Sequence, residues 1–293
     1  MVERGTVSKG AGIAARMPAH AETTMSSPRL TAELLDHVVD YLHDSKDALR
    51  KCCLVSKSWV PRARRHLFAE VWFETEEDLE SWLGIFPDPS TSPARYTKNL
   101  IIDCPQAVAI ADGEGGGWIR SFSHVINLEL GSSSQLPGTY EDDESATFLI
   151  PLQGLSPFVK SLDMDCPGLP SSRIFNLILS FPLLEDLTLT NYGYEATDED
   201  DGSNGPPIAV QPSNLPVFTG FFKLVTKELV PIVRQLLSLP SGIHFLKLTL
   251  MRGRREDILL IMALVEGCSR TLESLDITCD PPGVFIRHLC PYR

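Results

Sequence analysis

The chain has 293 residues, 43% of them hydrophobic, and its 38 Asp and Glu outnumber its 26 Lys and Arg to leave a net charge of -12. That hydrophobic share supports a buried core, and the length suits two modest domains or one elongated one. A surface this acidic repels a phosphate backbone, so nucleic acid is excluded as an expected partner.

Residues 1–27 are rich in Ala, Gly, Ser and Thr and lack the apolar run of a secretory signal, so they read as a disordered tail. The basic, small-residue start "RGTVSKGAGIAAR" is also compatible with a transit peptide, and Met25 is an alternative start. No later stretch approaches the roughly 20 apolar residues of a membrane span, which points to a cytoplasmic or nuclear protein without a membrane partner. The seven cysteines, at 52, 53, 104, 166, 268, 279 and 290, form no C-x-x-C pair. They read as reduced, buried thiols, because neither a disulfide framework nor a zinc ribbon fits. Cys279, His288 and Cys290 match no zinc spacing, and neither a metal nor a cofactor is expected.

In "RLTAELLDHVVDYLHD", apolar residues at Leu34, Leu35, Val38, Val39, Tyr41 and Leu42 have the spacing of a helix with one wide apolar face, capped by Thr31. A second short helix is expected from Ser45 or Asp47, turning Ala48, Leu49, Cys52 and Cys53 inward. In "VSKSWVPRARRHLF", Pro61 belongs to the first turn of a third helix, with Ser58 as its cap. Trp59, Ala63, His66 and Leu67 share one face of that helix, and Arg62, Arg64 and Arg65 read mostly as its solvated coat.

Together the three elements resemble the F-box, the helical module that docks substrate receptors onto the Skp-type adaptor of cullin–RING ubiquitin ligases. The likeness covers residues 28–68 and lies in Leu30, Glu33, Leu34, Leu35, Val38, Leu42, Leu49, Leu54, Val55, Ser56 and Trp59. Thr31 stands where the family usually has proline. The resemblance implies that Leu30, Leu34, Leu35 and Val38 contact the adaptor. It implies also that Leu42, Val55, Trp59 and Leu67 hold the module together. Forty residues cannot bury all the apolar surface of three short helices, so some aliphatic surface is left for a partner or for the domain downstream.

Beyond the module, "EVWFE" reads as a strand and "TEEDLESWLGIF" as a helix opened by Thr75 and Asp78 in capping-box spacing. An apolar residue followed by L-x-L, or by L-x-M or L-x-I in its place, then recurs in "VINLEL", "VKSLDM", "LEDLTL", "FLKLTL" and "LESLDI", with a looser copy in "TKNLII". The central leucines, Leu100, Leu128, Leu162, Leu187, Leu248 and Leu275, are 28, 34, 25, 61 and 27 residues apart. The longest gap holds two repeats, with a degraded strand near "VFTGFF". Periods of this size indicate a solenoid, in which each strand and helix bury their apolar faces only against neighbouring units. Helical stripes fall between the strands at Ile174, Leu177, Ile178 and Phe181, at Leu229, Ile232, Val233, Leu236 and Leu237, and at Ile258, Ile261, Met262 and Val265.

The fold class expected is therefore α/β: a small three-helix module over 28–68, then an irregular solenoid of parallel strands and helices over 69–293. The second part resembles leucine-rich repeats, and "SFPLLEDLTLTN" and "CSRTLESLDIT" behind an F-box resemble the large F-box receptor families of mushroom-forming fungi. Two acidic insertions, "YEDDES" and "ATDEDDGSNGPP", read as solvated loops that favour basic partners. The second puts Ile208 where a calcium loop needs its glutamate. "GEGGGW" lacks the strand-turn-helix context of a phosphate loop, and no histidine has a local nucleophile or carboxylate arrangement, so no catalytic residue is expected. The expected function is a non-enzymatic substrate receptor of a cullin–RING ligase, with a Skp-type adaptor and an unknown protein substrate as partners. The alternative is a repeat-based interaction scaffold outside any ligase, its F-box-like segment serving as an N-terminal cap.

Overall fold

A computed structural model of the chain describes residues 31–104, 117–131, 149–155, 157–165, 171–190, 220–225, 230–239, 244–253, 258–279 and 285–289. The expectations for residues 1–27, Leu30, Leu229, the two acidic insertions and Cys290 lie outside the described residues, as do the side chains of Cys279 and His288.

Three helices come first: α1 (Ala32–Tyr41), α2 (Lys46–Val55) and α3 (Val60–Leu67). Thr31 caps α1, its hydroxyl accepting from the Leu34 amide at 3.5 Å, and Ser45 caps α2 through the Ala48 amide. Helix α3 begins one residue later than the sequence suggests, with Trp59 at the cap and Pro61 second in the helix. Ser58 is not free to cap it, because its hydroxyl and its amide both engage the Ser56 hydroxyl in the preceding turn. The three helices meet over a small core of Val39, Leu49, Cys52 and Ala63.

The rest is a repeat-like array of strands and helices. Strands β1 (Glu70–Phe73), β2 (Asn99–Ile102), β3 (Asn127–Leu130), β4 (Ser161–Asp165), β5 (Asp186–Thr190), β6 (Phe221–Val225), β7 (Lys247–Gly253), β8 (Ser274–Cys279) and β9 (Phe285–Leu289) form one sheet in chain order. The first eight are parallel, and β9 closes on β8 antiparallel, an edge strand that the repeat pattern does not foretell. Between them lie α4 (Glu76–Ile85), α5 (Leu149–Leu152), α6 (Ser171–Leu179), α7 (Val230–Leu237) and α8 (Ile258–Cys268), the last four packing each on the next.

Strand side chains alternate between faces, so the L-x-L leucines fall on one side. Register aligns them into two continuous rows. Val71, Leu100, Leu128, Leu162, Leu187, Phe222, Leu248 and Leu275 form one, and Phe73, Ile102, Leu130, Met164, Leu189, Leu224, Leu250 and Ile277 the other. Every member of both rows is buried. A further repeat signature lies just before the strands: the carbonyls of Ala69, Lys98, Ile126, Lys160, Gly220 and Leu246 each accept from two successive amides of the next unit. The degraded repeat supplies β6, which starts on the last two residues of "VFTGFF", with Phe222 stacked on Phe245 at 4.8 Å.

The α6 stripe is fully buried along Ile174, Leu177 and Ile178, with Phe181 just beyond it. Helix α8 is rotated from its expected orientation, burying Ile261, Leu264 and Cys268 and exposing Ile258 and Met262. Its residues are apolar nearly all round, so periodicity does not choose a face. At the other end Thr75 and Asp78 close the capping box of α4. That helix puts Trp82 among Phe68, Phe73, Phe86 and Phe122, an aromatic cluster joining the three-helix module to the array.

Candidate functional site

The outer helix of the N-terminal module is divided along its length. Val39 is fully buried, and Leu35 and Leu42 are half-buried, whereas Leu34 is 50%, Val38 45% and Tyr41 87% exposed. These outward residues follow the i, i+4 and i+3 steps of a helix face. With His37 and Leu42, they line a shallow groove of about 370 Å³ whose walls are almost wholly apolar. At the far end of α2, Leu54 is 87% and Val55 69% exposed.

The residues singled out from the sequence therefore divide into groups. Leu34 and Val38 line the groove, and Leu35 does not. Trp59, Leu67 and Leu42 pack against the small core. Val55, read from the sequence as a bracing residue, is corrected to a surface position: it ends α2 one step beyond the last turn that faces the core. Tyr41 and His37 join the groove although the sequence argument did not single them out for docking.

Besides Val39 in the core, a polar cluster ties this helix to α3. The Arg62 guanidinium on α3 donates from Nε to Asp40 Oδ1 at 2.6 Å and from Nη2 to Asp40 Oδ2, and His66 Nε2 lies 2.8 Å from Oδ1. Arg62 and His66 are four residues apart, so both reach from one face of α3 to a single carboxylate on α1. The Arg62 hydrogen bond, and then that of His66, hold the Asp40 carboxyl well below its ordinary value, while Asp40 raises Arg62 in turn. Arg62 is thus a tie between helices rather than part of a solvated coat. A bidentate guanidinium–carboxylate pair is geometrically specific, so it helps to fix the orientation of α1 on α3.

Among the described residues no group of three or more His, Cys, Asp or Glu could hold a metal ion. Cys52, Cys53, Cys104 and Cys268 are free thiols. Burial pushes Cys104 and Cys268 up to about 11, which keeps them protonated and poor nucleophiles. Among the described residues no helix is long and apolar enough to cross a membrane. The groove can bury apolar side chains of a partner. No protein-family model matches the chain, and no curated protein matches it.

Proposed function

We propose that the chain is a substrate receptor of a cullin–RING ubiquitin ligase, in which α1 to α3 act as an F-box on a Skp-type adaptor and the repeat array holds a protein substrate. The observation that carries this reading is the split of α1: Leu34 and Val38 stand exposed around an apolar groove while the module keeps a core of its own. Apolar side chains left in that arrangement favour a partner over solvent. The receptor would accelerate ubiquitin transfer by proximity, with no reacting group of its own.

Packing on the downstream array is the use of these side chains that a purely structural N-terminal cap requires. Their exposure, and the packing of α1 on α3, favour the docking reading over that one. The test is co-purification of the full chain with a Skp-type adaptor. The wild type should retain the adaptor and the Leu34→Asp, Val38→Asp double variant should lose it. Equal retention, or none by either, would sink the proposal.

A further inference from the structure

We propose that the open face of the sheet from β1 to β4 seats a basic, extended segment of a protein partner, anchored on Trp72 and countered by the carboxylates of Asp103, Glu129 and Asp163. Under the receptor reading, on which this one point rests, that segment is the substrate's recognition element; the surface itself is separate from the α1 groove.

Strand alternation sets the face. With Val71, Leu100, Leu128 and Leu162 turned to the core, the row between the two buried ones turns outward as Trp72, Ile101, Glu129 and Asp163, one residue per strand in register. The aromatics Phe73, Trp118 and Phe122 of the same end are buried, yet Trp72 is 55% exposed. It is also held: its indole N–H donates to Asp103 Oδ2 at 2.7 Å. Asp103 in turn lies over Gly131, the residue just after β3, where a Cβ would run into its Oδ1, so glycine there leaves room for the carboxylate. An exposed indole fixed by a carboxylate that is itself seated by a glycine presents a flat, electron-rich surface beside negative charge. A Lys or Arg side chain matches both.

Glu129 and Asp163 continue the charge across the sheet as register partners, about 4.8 Å apart by strand spacing. Strands β1 to β4 carry no Lys or Arg. Burial pushes both carboxyls up. Asp163 and Asp103 add to the effect on Glu129, whereas at Asp163 the Lys223 ammonium on β6 opposes burial and Asp165 adds a smaller upward push. Carboxylates crowded together and partly desolvated gain from an incoming cation. The same charges repel acidic peptides and nucleic acid, and a second copy of this face would meet its own sign. From Trp72 to Asp163 is three strand spacings, about 14 Å, the reach of four or five extended residues. Cations at two alternate positions of such a segment would meet the row.

The experiment uses the full chain without adaptor and three labelled eight-residue peptides, alternating Arg and Ser, Glu and Ser, or Gly and Ser, followed by fluorescence anisotropy at low and moderate salt. The Arg peptide should bind at least tenfold tighter than the others, with affinity falling as salt rises. The Glu129→Gln, Asp163→Asn variant should weaken it at least tenfold with an unchanged or raised melting temperature, and Trp72→Ala at least fivefold. A Glu77→Gln, Glu80→Gln variant on exposed α4 positions makes the same charge change away from the face and should stay within twofold of wild type. Equal losses in both charge variants would overturn the proposal by showing a general response to net charge. It would also fall if the Arg peptide bound no tighter than the Gly one, or if sedimentation showed a dimer that the Glu129, Asp163 variant dissolves. Because no adaptor is present, failure of adaptor docking and failure of this surface are read separately.

Discussion

Adjacent residues on β4 should respond in opposite ways to substitution. Leu162 is 0% exposed and sits in register between Leu128 and Leu187, themselves buried and held by the parallel ladder. Leu162→Ala leaves a cavity that in-register neighbours on both sides cannot collapse to fill, which places its cost in the upper part of the usual range, about 3 to 4 kcal/mol. Each repeat touches only its neighbours, so a central defect also uncouples the two halves of the array and should broaden the unfolding transition. Asp163, one residue on, faces outward and carries a charge that burial disfavours. Asp163→Asn should leave stability within about 0.5 kcal/mol of wild type or raise it. Urea unfolding followed by circular dichroism measures both. A Leu162→Ala cost under about 1 kcal/mol, or an Asp163→Asn cost above about 2 kcal/mol, would refute the alternation on which the repeat description rests.

The Asp40 clamp carries a signed pH dependence. A carboxyl held below its ordinary 3.8 contributes stability that is present above that pH and is lost only as pH falls through the depressed folded value. Hydrogen exchange of the α1 amides should therefore be equally protected from pH 7 to 5 as far as this group is concerned, and Asp40→Asn should reduce the protection at pH 7; unchanged protection in the variant would mean that the clamp is idle. Gly131→Ala should push Asp103 away from the Trp72 indole and alter tryptophan emission without unfolding the array, and an unaltered spectrum would count against that contact. Cys104 and Cys268, buried and raised to about 11, should resist alkylation at pH 8 until urea unfolds the chain, whereas prompt labelling in the native state would contradict their placement.

The strands were legible because burial of one sheet face imposes a period of two, and alternating apolar pairs, L-x-L in β3, β5 and β7, carry it in each parallel strand. Two elements escaped for physical reasons. β9 has "FIRHL", in which Arg287 and His288 break the apolar alternation of the other strands, and it pairs antiparallel, so no repeat signal marks it. The face of α8 is not legible in the sequence, because a helix apolar on nearly all sides has no one-sided pattern to read. At the candidate site, helical spacing separated Leu34 and Val38 from Val39 only in part, since a short helix with a wide apolar face does not say which edge a neighbour covers. The Asp40 clamp joins residues 22 and 26 positions apart, beyond any local pattern. Its one trace in the sequence is the i, i+4 pair Arg62 and His66.

The central proposal is that α1 docks an adaptor through its outward aliphatics. Leu34 and Val38 each retain about half of their surface for a partner. Completing their burial is worth about 1 kcal/mol apiece. Together this makes Leu34→Ala, Val38→Ala about thirtyfold weaker in Kd. Titration calorimetry of the full chain with a purified Skp-type adaptor is the direct measurement. The account predicts one-to-one binding, weakened by about that factor in the double variant, with both proteins melting at the same temperature. Absence of binding by the wild type, or equal affinity in the two, would contradict it.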